Sequence, residues 1–240
     1  MTHLVNAARY LTIVPIPAPR TPHEAPGAAA AWFPVVGLLI GVLLAAVDRL
    51  AGALFAPLLT GVITVTAWKL VTGGLHLDGL ADCLDGLVGR DPASRLAIMR
   101  DSHIGAFGAI GLVLVLLLQV ATVSGLEAPA RGPALILAPV VARAMPAVIG
   151  RVFPAPGPGH GASFRADLGR AAPAVTVALA LAVAVVTMGG RGVVALLLAA
   201  VGALAFAAFM SRRLGGVSGD VHGGVIELSE LVVLLTASAR

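Results

Sequence analysis

A single cysteine, Cys83, occurs in 240 residues, which excludes an internal disulfide and a cysteine-based metal centre. Charge is scarce as well: 12% of the residues are Asp, Glu, Lys or Arg, and aromatic residues make up only 4%. No basic run is interleaved with aromatic residues, so the net charge of +4 does not point to nucleic acid. What fills the chain is apolar, 58% of it, with a mean hydropathy of +0.98. A membrane-spanning helix needs about 20 mostly apolar residues, and several runs supply them.

The expected fold is all-α: a polytopic integral membrane helical bundle, one domain over residues 1–240, with about seven transmembrane helices plus an interfacial N-terminal helix. The spans are expected near 32–50, 53–71, 107–126, 133–150, 171–189, 192–210 and 225–238. The opening "MTHLVNAARYLTIVPIP" lacks an uninterrupted apolar core and does not read as a cleaved signal peptide. It reads as a short amphipathic helix at the interface, with Arg9 and Tyr10 at headgroup level. The Pro/Ala-rich stretch after it, and the Pro/Gly-rich stretch 153–170, read as a cytosolic loop and a mobile cytosolic cover. Orientation follows the bias of Lys and Arg between short loops. With the N-terminus inside, only Arg49, Arg131, Arg191 and Arg240 fall outside, while Arg143 lies within a span. Segments 72–108 and 211–231 then face the same cytosolic side.

Against this background "TGGLHLDGLADCLDG", residues 72–86, stands out. In a helix, Asp78, Asp82 and Asp85 fall on one face, because offsets of four and seven residues return nearly to the same direction. Carboxylates near lipid need partners. Magnesium takes oxygen ligands, keeps several waters and is commonly held by one or two carboxylates plus substrate phosphates, which this stripe suits better than zinc. His76 is placed to hydrogen-bond a carboxylate or phosphate, and Gly79 to admit a close neighbour or ligand. Cys83 points off the acidic face, into packing.

In "RLAIMRDSHIGAFG", Arg95 and Arg100 offer guanidinium groups matched to phosphate oxygens, and Asp101 can orient Arg100. Ser102 and Gly105 lead into a helix start, where free backbone N–H groups make an anion site. In "LGGVSGDVHGGVIELSEL", Gly219 and Asp220 lie in a glycine-rich turn; Glu227 and Glu230 share a helix face, and Glu230 is a partner for Arg143. His3, His23 and His160 read as solvated.

These three motifs, with "YLTIVPIP" and "FPVVGLLIG" before them, closely resemble the cobalamin synthase (adenosylcobinamide-GDP ribazoletransferase) family, in order from about residue 8 to 235. The resemblance implies a magnesium-dependent transferase of vitamin B12 synthesis in the bacterial cytoplasmic membrane. There adenosylcobinamide-GDP and α-ribazole, or its 5′-phosphate, give adenosylcobalamin, or its 5′-phosphate, and GMP. It implies metal binding by Asp78, Asp82 and Asp85, and Arg100 on the leaving phosphate. The proton acceptor is expected to be Asp82 or Asp220, and substrate contacts are expected from His76, Gly79, Arg95, Asp101, Ser102, Gly105, Gly219 and Glu227. The lipid bilayer and other corrinoid-pathway enzymes are the expected partners. The chain departs from the family in its short, proline-rich 153–170 loop. Two other classes fit less well. A CDP-alcohol phosphatidyltransferase also uses an Asp-rich helix, but Asp82 stands where its motif has arginine. An ion-coupled transporter would carry its charges near mid-bilayer, whereas most acids here cluster at one face.

Overall fold

The computed structural model describes residues 2–17 and 26–239, which leaves His23, Arg240 and most of the Pro/Ala-rich stretch outside the described residues. Ten α-helices follow in order: α1 (Thr2–Leu11), α2 (Phe33–Gly52), α3 (Pro57–Thr72), α4 (Leu75–Gly86), α5 (Pro92–Met99), α6 (Ala106–Gly125), α7 (Ala128–Val152), α8 (His160–Ala166), α9 (Ala172–Leu214) and α10 (Gly219–Ser238). A 3-10 helix, Pro26–Trp32, leads into α2, and no strand occurs among the described residues. Proline opens α2, α3, α5, α7 and α9. Its fixed φ and missing N–H cost nothing in a first turn.

By length and apolarity five helices among the described residues could cross a bilayer, and the bent α3–α4 pair could furnish a sixth. The expected figure of about seven is not reached on that criterion, because it counted the two limbs of α9 separately. Forty-three residues would rise about 65 Å as one rod, twice the hydrocarbon thickness. The chain breaks instead at Gly189, whose φ of 56° and ψ of −133° are not helical. A Cβ on Gly192 would lie 2.2 Å from the Ala184 carbonyl oxygen, so the second limb folds back against the first.

The centre of the bundle is α7, which buries residues along most of its length. Helix α2 lies against it through Gly37 and Gly41, where added Cβ atoms would come within 2.5 Å of Pro139 O and 2.7 Å of Ile136 Cα. Such small-residue seams let helices approach closely where hydrophobicity alone gives no drive to associate. Facing outward are Leu39, Val42, Leu114, Leu117, Val186 and Val201, all exposed. So continuous an apolar surface suits lipid and would be costly in water.

Between α3 and α4 the chain turns 88° at two glycines in the left-handed region, Gly73 (φ 64°) and Gly74 (φ 68°). L-residues rarely take this conformation. The acidic helix α4 therefore lies nearly at a right angle to α3. The 153–170 stretch, expected as a mobile cover, is pinned: Val217 N donates to Pro154 O at 2.8 Å, and Arg165 Nη1 donates to Gly150 O at 2.9 Å and to Phe153 O. Tyr10 is not a simple headgroup anchor, since its ring stacks on Phe33 at 5.8 Å.

Candidate functional site

Helix α4 presents the carboxylate stripe at its junction with α10 and the α5–α6 loop, and the three aspartates meet different fates. Asp85 is buried, its Oδ2 accepting from Gly105 N at 2.8 Å and its Oδ1 from Gly108 N at 2.8 Å. It satisfies N–H groups that the start of α6 leaves open. Side chains at either glycine would collide with it, since Cβ atoms there would lie 2.3 Å from its oxygens. The anion seat expected at Gly105 is thus filled from within the protein, by a residue expected to bind metal. Asp78 is exposed and Asp82 half-buried; Asp220, from the first turn of α10, joins them. Burial, then the charges of Asp78, Asp220 and Asp85, push the Asp82 carboxyl up to about 7.

Three hollows share these residues as walls. The first, about 290 Å³, is bordered by Asp78, Asp82, Arg100, Asp101, Ser102 and His103. The second, about 250 Å³, is bordered by Arg100, His160, Ser218, Gly219 and Asp220. The third, about 350 Å³, takes in Asp78 and Asp220 again, with His76, His160 and Gly219. Arg100 therefore stands between the first two, and Asp220 between the second and third. Asp101 Oδ1 accepts from His103 N at 3.0 Å and lies 2.6 Å from His103 Nδ1, bonds that hold its carboxyl below the usual carboxylate range.

Among the described residues, none of Asp78, Asp82 and Asp220 is in an ion pair. Crowded carboxylates without a counter-charge, one of them pushed up to about 7, suit a cation. No three His, Cys, Asp or Glu groups among the described residues could jointly hold a metal ion. A closed zinc site needs such a group, whereas magnesium takes much of its shell from waters and substrate oxygens.

Other expected site residues sit elsewhere. Arg95 spends its guanidinium on Arg213 O (3.2 Å) and Arg90 O (3.4 Å), fastening α5 to the end of α9. Gly79 is buried under α10, and its role is close packing. Glu227 borders none of the three hollows. Its Oε2 accepts from Lys69 Nζ at 2.6 Å and from Gln119 Nε2 at 3.3 Å. Lys69 also reaches Glu230 Oε2 at 3.2 Å, and Arg143 Nη1 meets Glu230 Oε1 at 2.5 Å, the expected pairing. Two cations and two carboxylates thus tie α3, α7 and α10 together, with α6 added through Gln119.

Sequence reasoning missed Lys69, counted only among the inside-facing charges; His160, read as solvated, is exposed, and it also borders two hollows. The signal for Lys69 was present: two glutamates in one span call for cations, and Arg49, Lys69 and Arg143 are the basic residues inside the expected spans. His76, by contrast, does border the third hollow. Burial, then the Arg143 charge, push its imidazole down to about 3, so it is neutral.

The bundle and these hollows define a membrane-embedded helical protein with a carboxylate- and arginine-lined site of the kind that handles phosphate esters. The model of the cobalamin-5-phosphate synthase family matches residues 3–238, and the chain belongs to that family. Proteins named adenosylcobinamide-GDP ribazoletransferase are similar along nearly the whole chain. The one from Brevibacillus brevis is 36% identical over 98% of this chain and 97% of its own length. The one from Roseiflexus sp. is 39% identical over 96% and 87%, and that from Pseudomonas syringae pv. syringae 40% identical over 96% of each. No solved structure matches the chain.

Proposed function

We propose that this protein joins adenosylcobinamide-GDP to α-ribazole, or to its 5′-phosphate, with release of GMP. The observation that carries the reading is the sharing of walls: Asp78 and Asp82, Arg100 and Asp220 border adjoining hollows where a pyrophosphate and an attacking alcohol can meet. In this reading Asp78 and Asp82 hold magnesium, and Asp85 supports the site by fixing the start of α6. When bound, the ion neutralises charge on the phosphate oxygens.

Asp220 takes the proton of the ribose hydroxyl as its oxygen attacks the phosphorus attached to cobinamide. The bond from that phosphorus to the bridging oxygen breaks, and GMP leaves with the electron pair. Arg100 steadies charge on the leaving phosphate, an interaction that strengthens as the bond breaks. The site faces the cytosol of a bacterial inner membrane in this reading, supported by the arginines of the α4–α6 region and of the end of α9.

The test uses protein in liposomes with adenosylcobinamide-GDP, α-ribazole and magnesium, following GMP and the new corrinoid by chromatography. Magnesium-dependent release by the wild type, abolished by EDTA and lost in Asp82→Ala, is the expected result. Folded wild-type protein that releases no GMP would overturn the reading.

A further inference from the structure

The third hollow differs from its neighbours. A row of rings runs along it: Tyr10 to Phe33 at 5.8 Å, Phe33 to Phe164 at 6.0 Å, and Phe164 to His222 at 5.0 Å. Leu11, Pro146 and Ile226 complete apolar walls, and among the described residues no lysine or arginine borders it. Two imidazoles open onto it, His76 and His222, 7% and 8% exposed, and the Nδ1 of each is buried without a hydrogen-bond partner. A buried polar atom left unpaired is costly, and both of these belong to residues that border the same hollow.

We propose that this hollow seats the nucleoside that accepts the phosphoryl group. Its aromatic base lies against Phe164 and His222, and its ribose points to Asp220, an assignment that rests on the reaction proposed above. At about 350 Å³ the cavity is of the size that holds one small ligand, and it is far too small for a corrin ring. Between the two heterocycles of the reaction, the walls choose. Guanine carries polar atoms around most of its edge and would leave them unpaired against Leu11, Pro146 and Ile226. A dimethylbenzimidazole has two methyl groups for the apolar wall and one free ring nitrogen, which a neutral imidazole N–H can meet. Asp78 and Asp220 border the same hollow, so a nucleoside whose base lies against Phe164 and His222 has carboxylates within the cavity for its hydroxyls. The guanosine end of the other substrate is left to the two hollows that Arg100 borders.

The first measurement is equilibrium dialysis of labelled α-ribazole against detergent-solubilised wild-type protein. 5,6-Dimethylbenzimidazole is expected to compete, and guanosine at the same concentration is not. Steady-state kinetics then compare His222→Phe, which keeps a ring but removes the donor, with Ile226→Trp, which fills the cavity. Each is expected to raise KM for α-ribazole, by about 5–10-fold for the single lost hydrogen bond, with KM for adenosylcobinamide-GDP within twofold of wild type. Equal competition by guanosine, or turnover in both variants with the α-ribazole KM unmoved, overturns the seat and leaves the reaction standing. Absence of GMP release by folded wild-type protein removes the reaction and the seat with it.

Discussion

Gly79 of α4 and Asp220 of α10 touch backbone to backbone: a Cβ on the glycine would lie 2.8 Å from the Asp220 carbonyl oxygen and 3.0 Å from its Cα. This contact brings two acidic segments 141 positions apart to one site, and backbone cannot yield as a flexible side chain can. Gly79→Val is therefore expected to push the helices apart and lower kcat at least about tenfold, since sub-ångström misplacement of catalytic groups is costly. GMP release by the purified variant, compared with its thermal unfolding midpoint, checks this. Unchanged turnover would show that the contact does not set the site.

Asp85 and Asp82 are expected to separate cleanly under the same substitution. Asp85→Asn removes charge and one acceptor from the start of α6 and is expected to destabilise by about 1–2 kcal/mol, as lost helix caps do. The magnesium concentration for half-maximal rate should stay within twofold. Asp82→Asn is expected to leave unfolding unaltered and raise that concentration more than about tenfold. A magnesium titration and a thermal scan of both proteins decide it, and the reverse pattern would return Asp85 to the metal.

Lys69 tests the buried quartet. Lys69→Met leaves Glu227 and Glu230 short of a cation, and breaking a buried pair costs about 3–5 kcal/mol. Adding Glu227→Gln restores the balance and is expected to recover most of the loss. Denaturant unfolding of the single and double variants in detergent measures it; additive losses would mean that the pair is not coupled.

The pH profile follows from Asp82. With its carboxyl raised to about 7, the deprotonated form that binds a cation predominates only above that pH. Raised pKa means a proton held longer, so at limiting magnesium the rate should rise with pH through about 7. Saturating magnesium competes with the proton and should move the rise to lower pH. A midpoint that ignores magnesium would separate Asp82 from the metal.

Much of this was legible before any coordinates. Apolar runs of about 20 residues announced the helices, and the four- and three-residue steps among Asp78, Asp82 and Asp85 announced the stripe. What the pattern could not reveal is that the third aspartate has a different task, because periodicity assigns a face and not the neighbour that meets it. The neighbour is α6, whose Gly105 and Gly108 present N–H groups to Asp85. That the exposed His160 also borders two hollows was hidden for a similar reason. The loop that carries it is fixed by distant contacts, among them a Gly161 whose Cβ would lie 2.6 Å from Val217 O.

The quartet of Lys69, Arg143, Glu227 and Glu230 carries equal numbers of opposite charges and is locked by bonds among its members. A voltage across the bilayer does work on charge that moves, about 2.3 kcal/mol per elementary charge per 100 mV. A neutral, fixed set offers it nothing to pull. Turnover should therefore be indifferent to whether the vesicle is energised, which sets this protein apart from carriers that bury the same residue types to harvest an ion gradient.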